Sequence, residues 1–419
     1  MLEIVNILTI IIGSVISLKS AKKIIKGEMN LYRILVLIFF IFQYIPLIVG
    51  LFFNPNSYDW SYAPNIGKAY LNDDVSILYD IYIAIIIIIL YRLSKNKDTY
   101  IVAYANQLQN VKFGLLVDVI LMVFMLSPII GILLAPNPSI YLEWAYFYTN
   151  QTTFFEELYH NEVMKELLWI SLASSLVYYT QMKKKTWITY LVIIFVTFLS
   201  FKRTLLVFGC ILVLFIDFFS NKNSNKLNYL FKKTLLMMIV CIGYFISYVN
   251  GTGKGEDTSN YITYTMYFGR EYPVKVAILD LLNGSKMLNY PGESVLFDFF
   301  FFLPRSIWPE KPAMYTKYLT AYSKGTTIDD SISTTNYYAN IWAECLSNFN
   351  VYGIFYAFLI IFLIKKISEK SNNIVIYLLG FSFIIFYFIW GIQPFTMLII
   401  GLWATCLLLN KIGIVLKKA

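Results

Sequence analysis

Val75-Ser-Ile-Leu-Tyr-Asp-Ile-Tyr-Ile-Ala-Ile-Ile-Ile-Ile-Ile-Leu-Tyr-Arg-Leu93 is an almost unbroken apolar run. Its side chains do not alternate between polar and apolar, as those of a membrane β-strand with a wet inner face would, so a β-barrel is excluded. The run is long enough to cross the hydrocarbon core as a helix. Asp73 and Asp74 precede it, where carboxylates favour a helix N-terminus, and Arg92 stands at its other end.

Similar runs recur along all 419 residues, which are 58% hydrophobic, 18% aromatic and 14% charged, with a mean hydropathy of +0.63. No soluble domain of this size has an interior that could take up so much apolar surface. The reading is an all-α polytopic membrane protein of about eleven spans. They fall near residues 2–18, 34–53, 75–93, 113–135, 165–182, 187–201, 204–220, 234–249, 349–364, 374–390 and 395–410. Most of the 34 Lys and Arg lie in alternate connections, among them Lys19, Lys22, Lys23, Lys26, Arg33, Arg92, Lys95, Lys183, Lys232, Lys365, Lys366 and Lys418. Positive charge collects on the cytoplasmic side, so the N-terminus is expected outside and the C-terminus in the cytoplasm. The chain then divides into helices over 1–249, a large outer loop over 250–347 and helices over 348–419.

The net charge of +9 follows from this topology and gives no reason to invoke nucleic acid. Cys210, Cys241, Cys345 and Cys406 are scattered, without the paired spacing of a zinc site or a disulfide framework. The first apolar run lacks a basic leader and a small-residue cleavage site, and is expected to be a retained helix. Heavy use of Ile, Lys, Asn, Phe and Tyr points to an A/T-rich bacterial genome.

Irregular segments gather on the outer side. Loop 54–74 carries Asp59 and Trp60, and loop 136–164 carries Tyr141, Trp144, Glu156 and the single histidine, His160. The loop 250–347 spans roughly a hundred residues, a length that usually signals function. Its start, Gly251-Thr-Gly-Lys-Gly255, lacks the spacing of a phosphate-binding P-loop. Tyr261, Tyr264, Tyr267 and Phe268 recur at helical spacing, as do Tyr315, Tyr318, Leu319 and Tyr322. Each stripe reads either as an interfacial anchor or as a platform for stacking on sugars. A short helix is expected from Val274 to Asn283, ending at Gly284.

Within this loop, Phe297-Asp-Phe-Phe-Phe-Phe-Leu-Pro-Arg-Ser-Ile-Trp-Pro-Glu-Lys-Pro312 sets Arg305 on a stiff backbone beside an apolar surface. Proline fixes its own φ and biases the preceding residue away from helix, so Leu303, Trp308 and Lys311 should be non-helical. An ordinary proline-rich surface loop is the plainer reading. Arg203, with Lys202, sits between two apolar spans at the expected outer interface, where charge is costly and functional by default; snorkelling to headgroups is the alternative. Arg203, Arg270 and Arg305 together suit a phosphate-bearing ligand, because the guanidinium fork matches phosphate oxygens. Glu344 is the candidate general base, or else a carboxylate stabilising a helix N-terminus. Asp329 and Asp330 read as a turn or a cation contact. No metal-ligand cluster, nucleophile elbow or dinucleotide fingerprint is present, so neither a metal nor a cofactor is expected.

Phe201-Lys-Arg-Thr204, the large outer loop, Pro304-Arg305 with Trp308-Pro-Glu-Lys-Pro312, and Glu344 followed by Asn348 and Gly353 resemble the O-antigen polymerase family. The resemblance implies a GT-C-like membrane fold in the bacterial cytoplasmic membrane. It implies an enzyme that joins undecaprenyl-pyrophosphate-linked oligosaccharide repeat units at the outer face, working with a flippase and a chain-length regulator. Arg203, Arg305 and Glu344 would then be catalytic. Lys202, Arg270, Trp308, Lys311, Tyr315, Tyr318 and Asn348 would bind substrate. O-antigen ligases share the outer loop but generally carry a histidine there, and none occurs between residues 250 and 347. A flippase is the remaining alternative, with Asp80, Asp118 and Asp217 as its intramembrane acids.

Overall fold

A computed structural model describes residues 2–26, 28, 30–52, 59–95, 115–134, 138, 162–181, 186–200, 209, 213, 269–328, 337–371 and 373–411. Every regular element among these residues is helical. Among the described residues four helices are long and apolar enough to cross a membrane: Leu2–Ile25, Leu31–Gly50, Asp73–Leu93 and Ile341–Lys370. The chain is therefore a helical membrane protein. Of the expected span at 204–220 only residues 209 and 213 are described, and the expected span at 234–249 lies outside the described residues.

The chain forms two compact units, residues 1–100 with 259–419, and residues 101–258. In the first, α1 (Leu2–Ile25), α2 (Leu31–Gly50), α3 (Pro64–Leu71) and α4 (Asp73–Leu93) come first along the chain. Asn72 caps α4 as its side chain accepts from the backbone N–H groups of Asp74 and Val75 at 2.9 and 3.1 Å. Asp73 and Asp74 occupy the first turn of α4, as the sequence leads one to expect.

In the second unit, α5 (Leu115–Met125) and α6 (Ser127–Leu133) meet at Leu126, where Pro128 opens α6. A single expected span over 113–135 is thus broken, because proline removes a backbone donor. The breach is closed by side chains, since Ser171 Oγ donates to the carbonyl of Met125 at 2.7 Å. That serine belongs to α7 (Glu162–Gln181), which also packs on α8 (Thr186–Ser200).

The first unit continues with α9 (Tyr272–Leu282), α10 (Glu293–Phe300), α11 (Tyr315–Lys324) and α12 (Ile341–Phe349). It closes with α13 (Gly353–Lys370), α14 (Ile374–Trp390) and α15 (Pro394–Lys411). The helix foreseen at 274–283 is α9, and Gly284 follows it with φ +93°, a conformation that glycine adopts without strain. It is apolar almost all round and accordingly buried: Tyr272 to Asp280 are all out of solvent, packed by α3, α4, α11 and α12.

A π-helical turn, Phe40–Tyr44, interrupts α2 and turns Gln43 toward α9. Gln43 Nε2 donates to the carbonyl of Arg270 at 3.0 Å, and the Arg270 N–H donates to the carbonyl of Phe42 at 3.2 Å. Nearby, Tyr70 donates to Glu271 at 2.6 Å, while Lys275 Nζ lies 3.7 Å from Glu271 and over the rings of Tyr70 and Tyr79. Asp80 of α4 stands within electrostatic reach of Lys275, so the buried cation is balanced on two sides.

Candidate functional site

Helices α10 and α12 face each other, and each presents polar residues one turn apart: Ser294 and Asp298 on α10, Glu344 and Asn348 on α12. Asn340 positions the second pair, because its side chain accepts from the Ala343 N–H at 2.8 Å and caps α12. Its amide nitrogen also donates to the Arg270 carbonyl at 2.9 Å, tying α12 to the start of α9. Gly353 explains the far end. A Cβ there would run into the backbone carbonyl of Cys345, so only glycine lets α13 leave so close to α12.

Within the cluster, Ser294 Oγ donates to Glu344 Oε1 at 2.8 Å and accepts from Asn348 Nδ2 at 2.8 Å. The same Asn348 nitrogen donates to the Glu344 carbonyl at 2.8 Å. Glu344 is 1% exposed and Asn348 2%. The Glu344 and Asp298 carboxyls lie within hydrogen-bond reach of each other, and Glu344 Oε2 and both Asp298 oxygens are out of water. Burial, and then the Glu344 charge beside it, push the Asp298 carboxyl well above the usual carboxylate range.

Two tyrosines of the stripe read as an interfacial anchor or a sugar platform close the cluster from α11. Tyr315 OH pairs with Ser347 Oγ at 2.8 Å, and Tyr318 OH donates to Glu293 Oε1 at 2.8 Å. Glu293 also accepts from the Asn289 backbone N–H at 2.7 Å and its Nδ2 at 2.8 Å. Tyr315, Tyr318 and Leu319 thus face inward, with only Tyr322 partly exposed, so this stripe is turned to the protein interior. The stripe at Tyr261 to Phe268 lies outside the described residues.

The proline-rich turn follows α10 directly and contains no helix between residues 301 and 314. Lys311 is 7% exposed; its Nζ donates to the carbonyls of Phe301 and Leu303 at 2.7 and 2.9 Å and lies 4.7 Å from the Phe297 ring. It thereby satisfies carbonyls beyond the C-terminus of α10. Arg305 is exposed, with Nη1 and Nη2 facing the carbonyls of Pro309 and Pro312 at 3.2 and 3.4 Å. These contacts aim the guanidinium while leaving N–H groups toward solvent. Desolvation and then the nearby Arg305 charge lower the Lys311 ammonium from its ordinary value. Trp308 packs edge-on against Phe300, and Phe299, Phe302 and Ile307 stand 57%, 66% and 71% exposed around the turn.

Sequence-predicted residues therefore fall into three places. Glu344 and Asn348 join one cluster, with Tyr315 and Tyr318 beside it. Arg305, Trp308 and Lys311 share the turn that α10 leads into. Arg270 is buried at the start of α9, its guanidinium 4.9 Å from the Tyr338 ring and its Nη1 donating to the Gly269 carbonyl at 2.9 Å. Arg203, Lys202, His160, Asp329 and Asp330 lie outside the described residues. Sequence reading missed Ser294, Glu293 and above all Asp298, which sits inside a run read as apolar. The usable signal was the matched one-turn spacing of Ser294 with Asp298 and of Glu344 with Asn348. Among the described residues no group of His, Cys, Asp and Glu is arranged to hold a metal ion. Comparisons of this chain with family models, with curated proteins and with solved structures each return no match.

Proposed function

We propose that the protein is a glycan polymerase of the bacterial cytoplasmic membrane, an eleven-span, GT-C-like enzyme with its N-terminus outside. It joins oligosaccharide repeat units carried on undecaprenyl pyrophosphate, at the outer face. The observation that carries this reading is Arg305: an exposed, oriented guanidinium on a stiff turn, close to Lys311 and ringed by exposed Phe299, Phe302 and Ile307. A cationic head on an apolar rim matches a ligand that is itself an anion on a lipid tail. In this role Arg305 and Arg203 neutralise the pyrophosphate as it leaves, with no metal required. Glu344 receives the proton of the attacking sugar hydroxyl, so the new glycosidic bond forms as the bond to pyrophosphate breaks. Purified protein given lipid-linked repeat units should produce a ladder of products; one single-step product from folded protein would overturn the reading.

One observation favours a second reading, a flippase for the same lipid-linked sugars. Asp80, Glu271 and Lys275 form a buried ionisable group beside membrane helices, where such residues often mark transport paths. Translocation of labelled substrate in proteoliposomes without polymer formation would select it.

A further inference from the structure

Asp298 and Glu344 bring two carboxyl groups together out of water. Ser294 and Asn348 occupy the rest of the cluster, and no cationic side chain among the described residues forms an ion pair with either acid. Asp298 Oδ1 and Oδ2 and Glu344 Oε2 are buried and have nothing but each other to bond. A carboxylate only accepts hydrogen bonds, so two ionised groups here would repel and leave three oxygens unsatisfied. A single proton removes the repulsion and satisfies two of the three oxygens, because the acid that holds it donates to the other.

We infer that Asp298 and Glu344 act as one proton-sharing unit, in which Asp298 carries the proton and donates it in a hydrogen bond to Glu344 Oε2. Ser294 fixes the other Glu344 oxygen, so the Glu344 carboxylate is held from both ends. Asp298 is thus a positioning residue for Glu344. As far as it concerns catalysis, this rests on the role of Glu344 in glycan transfer given above.

The titratable groups that the charge of the pair reaches are Tyr315 on α11, Cys345 on α12, Tyr356 on α13 and Tyr387 on α14. All are phenols or a thiol and none supplies positive charge. Removing the shared proton would therefore create a second buried negative charge with no cation to meet it.

The test is infrared spectroscopy of the purified full-length protein, with aspartate side-chain carboxyls isotopically labelled so that their bands move. At neutral pH a protonated aspartic acid band should be present in wild type and lost in Asp298→Asn. Glu344→Gln should keep the band but move its frequency, because burial still holds Asp298 neutral while its acceptor changes from a carboxylate to an amide oxygen. This second variant keeps the test open if the first does not fold. Absence of any such band in folded wild type would overturn the inference. So would a shift of the Asp298 carboxylate bands on adding Na⁺, K⁺, Mg²⁺ or Ca²⁺, since a bound cation would then stand in place of the proton. This arm needs no substrate, so its failure leaves glycan transfer standing, and failure of the polymer assay leaves the proton pair standing. In the transfer assay, Asp298→Asn should keep the acidic limb of the pH profile and lose the alkaline limb. An unchanged profile would reduce Asp298 to packing and overturn its positioning role.

Discussion

Ser294 Oγ stands 2.8 Å from Glu344 Oε1, a hydrogen bond between residues separated by 50 positions. It locks α10, the helix that leads into the Arg305 turn, onto α12, the helix that carries the candidate base. The two halves of the proposed chemistry are thereby tied together through α10 and α12.

The proton on Asp298 has a consequence for stability. Its folded-state affinity for that proton is raised, so the native state binds more protons than the unfolded chain above the usual carboxylate range. Stability from this group is then full at low pH and falls as pH rises toward the raised value, by at most about 1.4 kcal/mol per pH unit. Asp298→Asn keeps a donor without a titration. Thermal unfolding in detergent across pH should show wild type losing stability relative to this variant as pH increases. Parallel curves would mean that Asp298 is ionised like an ordinary carboxylate.

Gly353→Ala should be severe, although the residue touches neither acid. The added methyl meets the Cys345 carbonyl and comes within 3.0 Å of the Leu346 nitrogen, so α12 and α13 must separate. Overpacking of this kind costs on the order of 1–3 kcal/mol, and here it also moves the turn that bears Glu344. A lowered melting temperature together with reduced activity per folded molecule is expected. Wild-type stability would contradict the close approach.

Much of this fold was legible in the sequence, and the part that was not has a physical reason. Long apolar runs, such as that ending at Leu93, can only be membrane helices, and the α9 stop at Gly284 follows from backbone preference alone. Burial of α9, α11 and α12 was not legible. The Tyr315 and Tyr318 stripe shows which residues share a face but not whether that face meets lipid, sugar or protein. Asp298 was hidden for a related reason: one acid amid phenylalanines looks solvated until its partner, far along the chain, is folded against it. Glu344 and Asn348 were singled out from their place before an apolar run and from a family resemblance, whereas the Asn340 cap that starts their helix is a local feature the reading did not use.

Glu293 tests whether the α10–α11 contact is structural. Its carboxylate accepts from Tyr318 and twice from Asn289, and it is 5% exposed. Glu293→Ala strands these three donors and should cost about 1–3 kcal/mol, whereas Tyr318→Phe removes two bonds but strands only the Ala313 N–H, and should cost about 0.5–1.5 kcal/mol. Both should lower the melting temperature in that order. A reversal of the order would place the Tyr318 hydroxyl elsewhere.

Arg305 separates charge from geometry. Lysine preserves the charge but not the two-pronged donor, so Arg305→Lys should lose roughly tenfold or more in rate per folded molecule, the equivalent of about 1.5–3 kcal/mol. Arg305→Ala should be nearly inactive while still inserting in the membrane. If Arg305 does no more than brace the carbonyls of Pro309 and Pro312, folded yield and activity should fall together in both variants.

The most direct measurement is product length from the purified wild-type protein supplied with undecaprenyl-pyrophosphate-linked repeat units in liposomes. Glycan polymerisation predicts a ladder of lipid-linked products, lengthening with time, that EDTA leaves unchanged and Arg305→Ala abolishes. A single transfer product, or substrate moved across the bilayer but never joined, would contradict it.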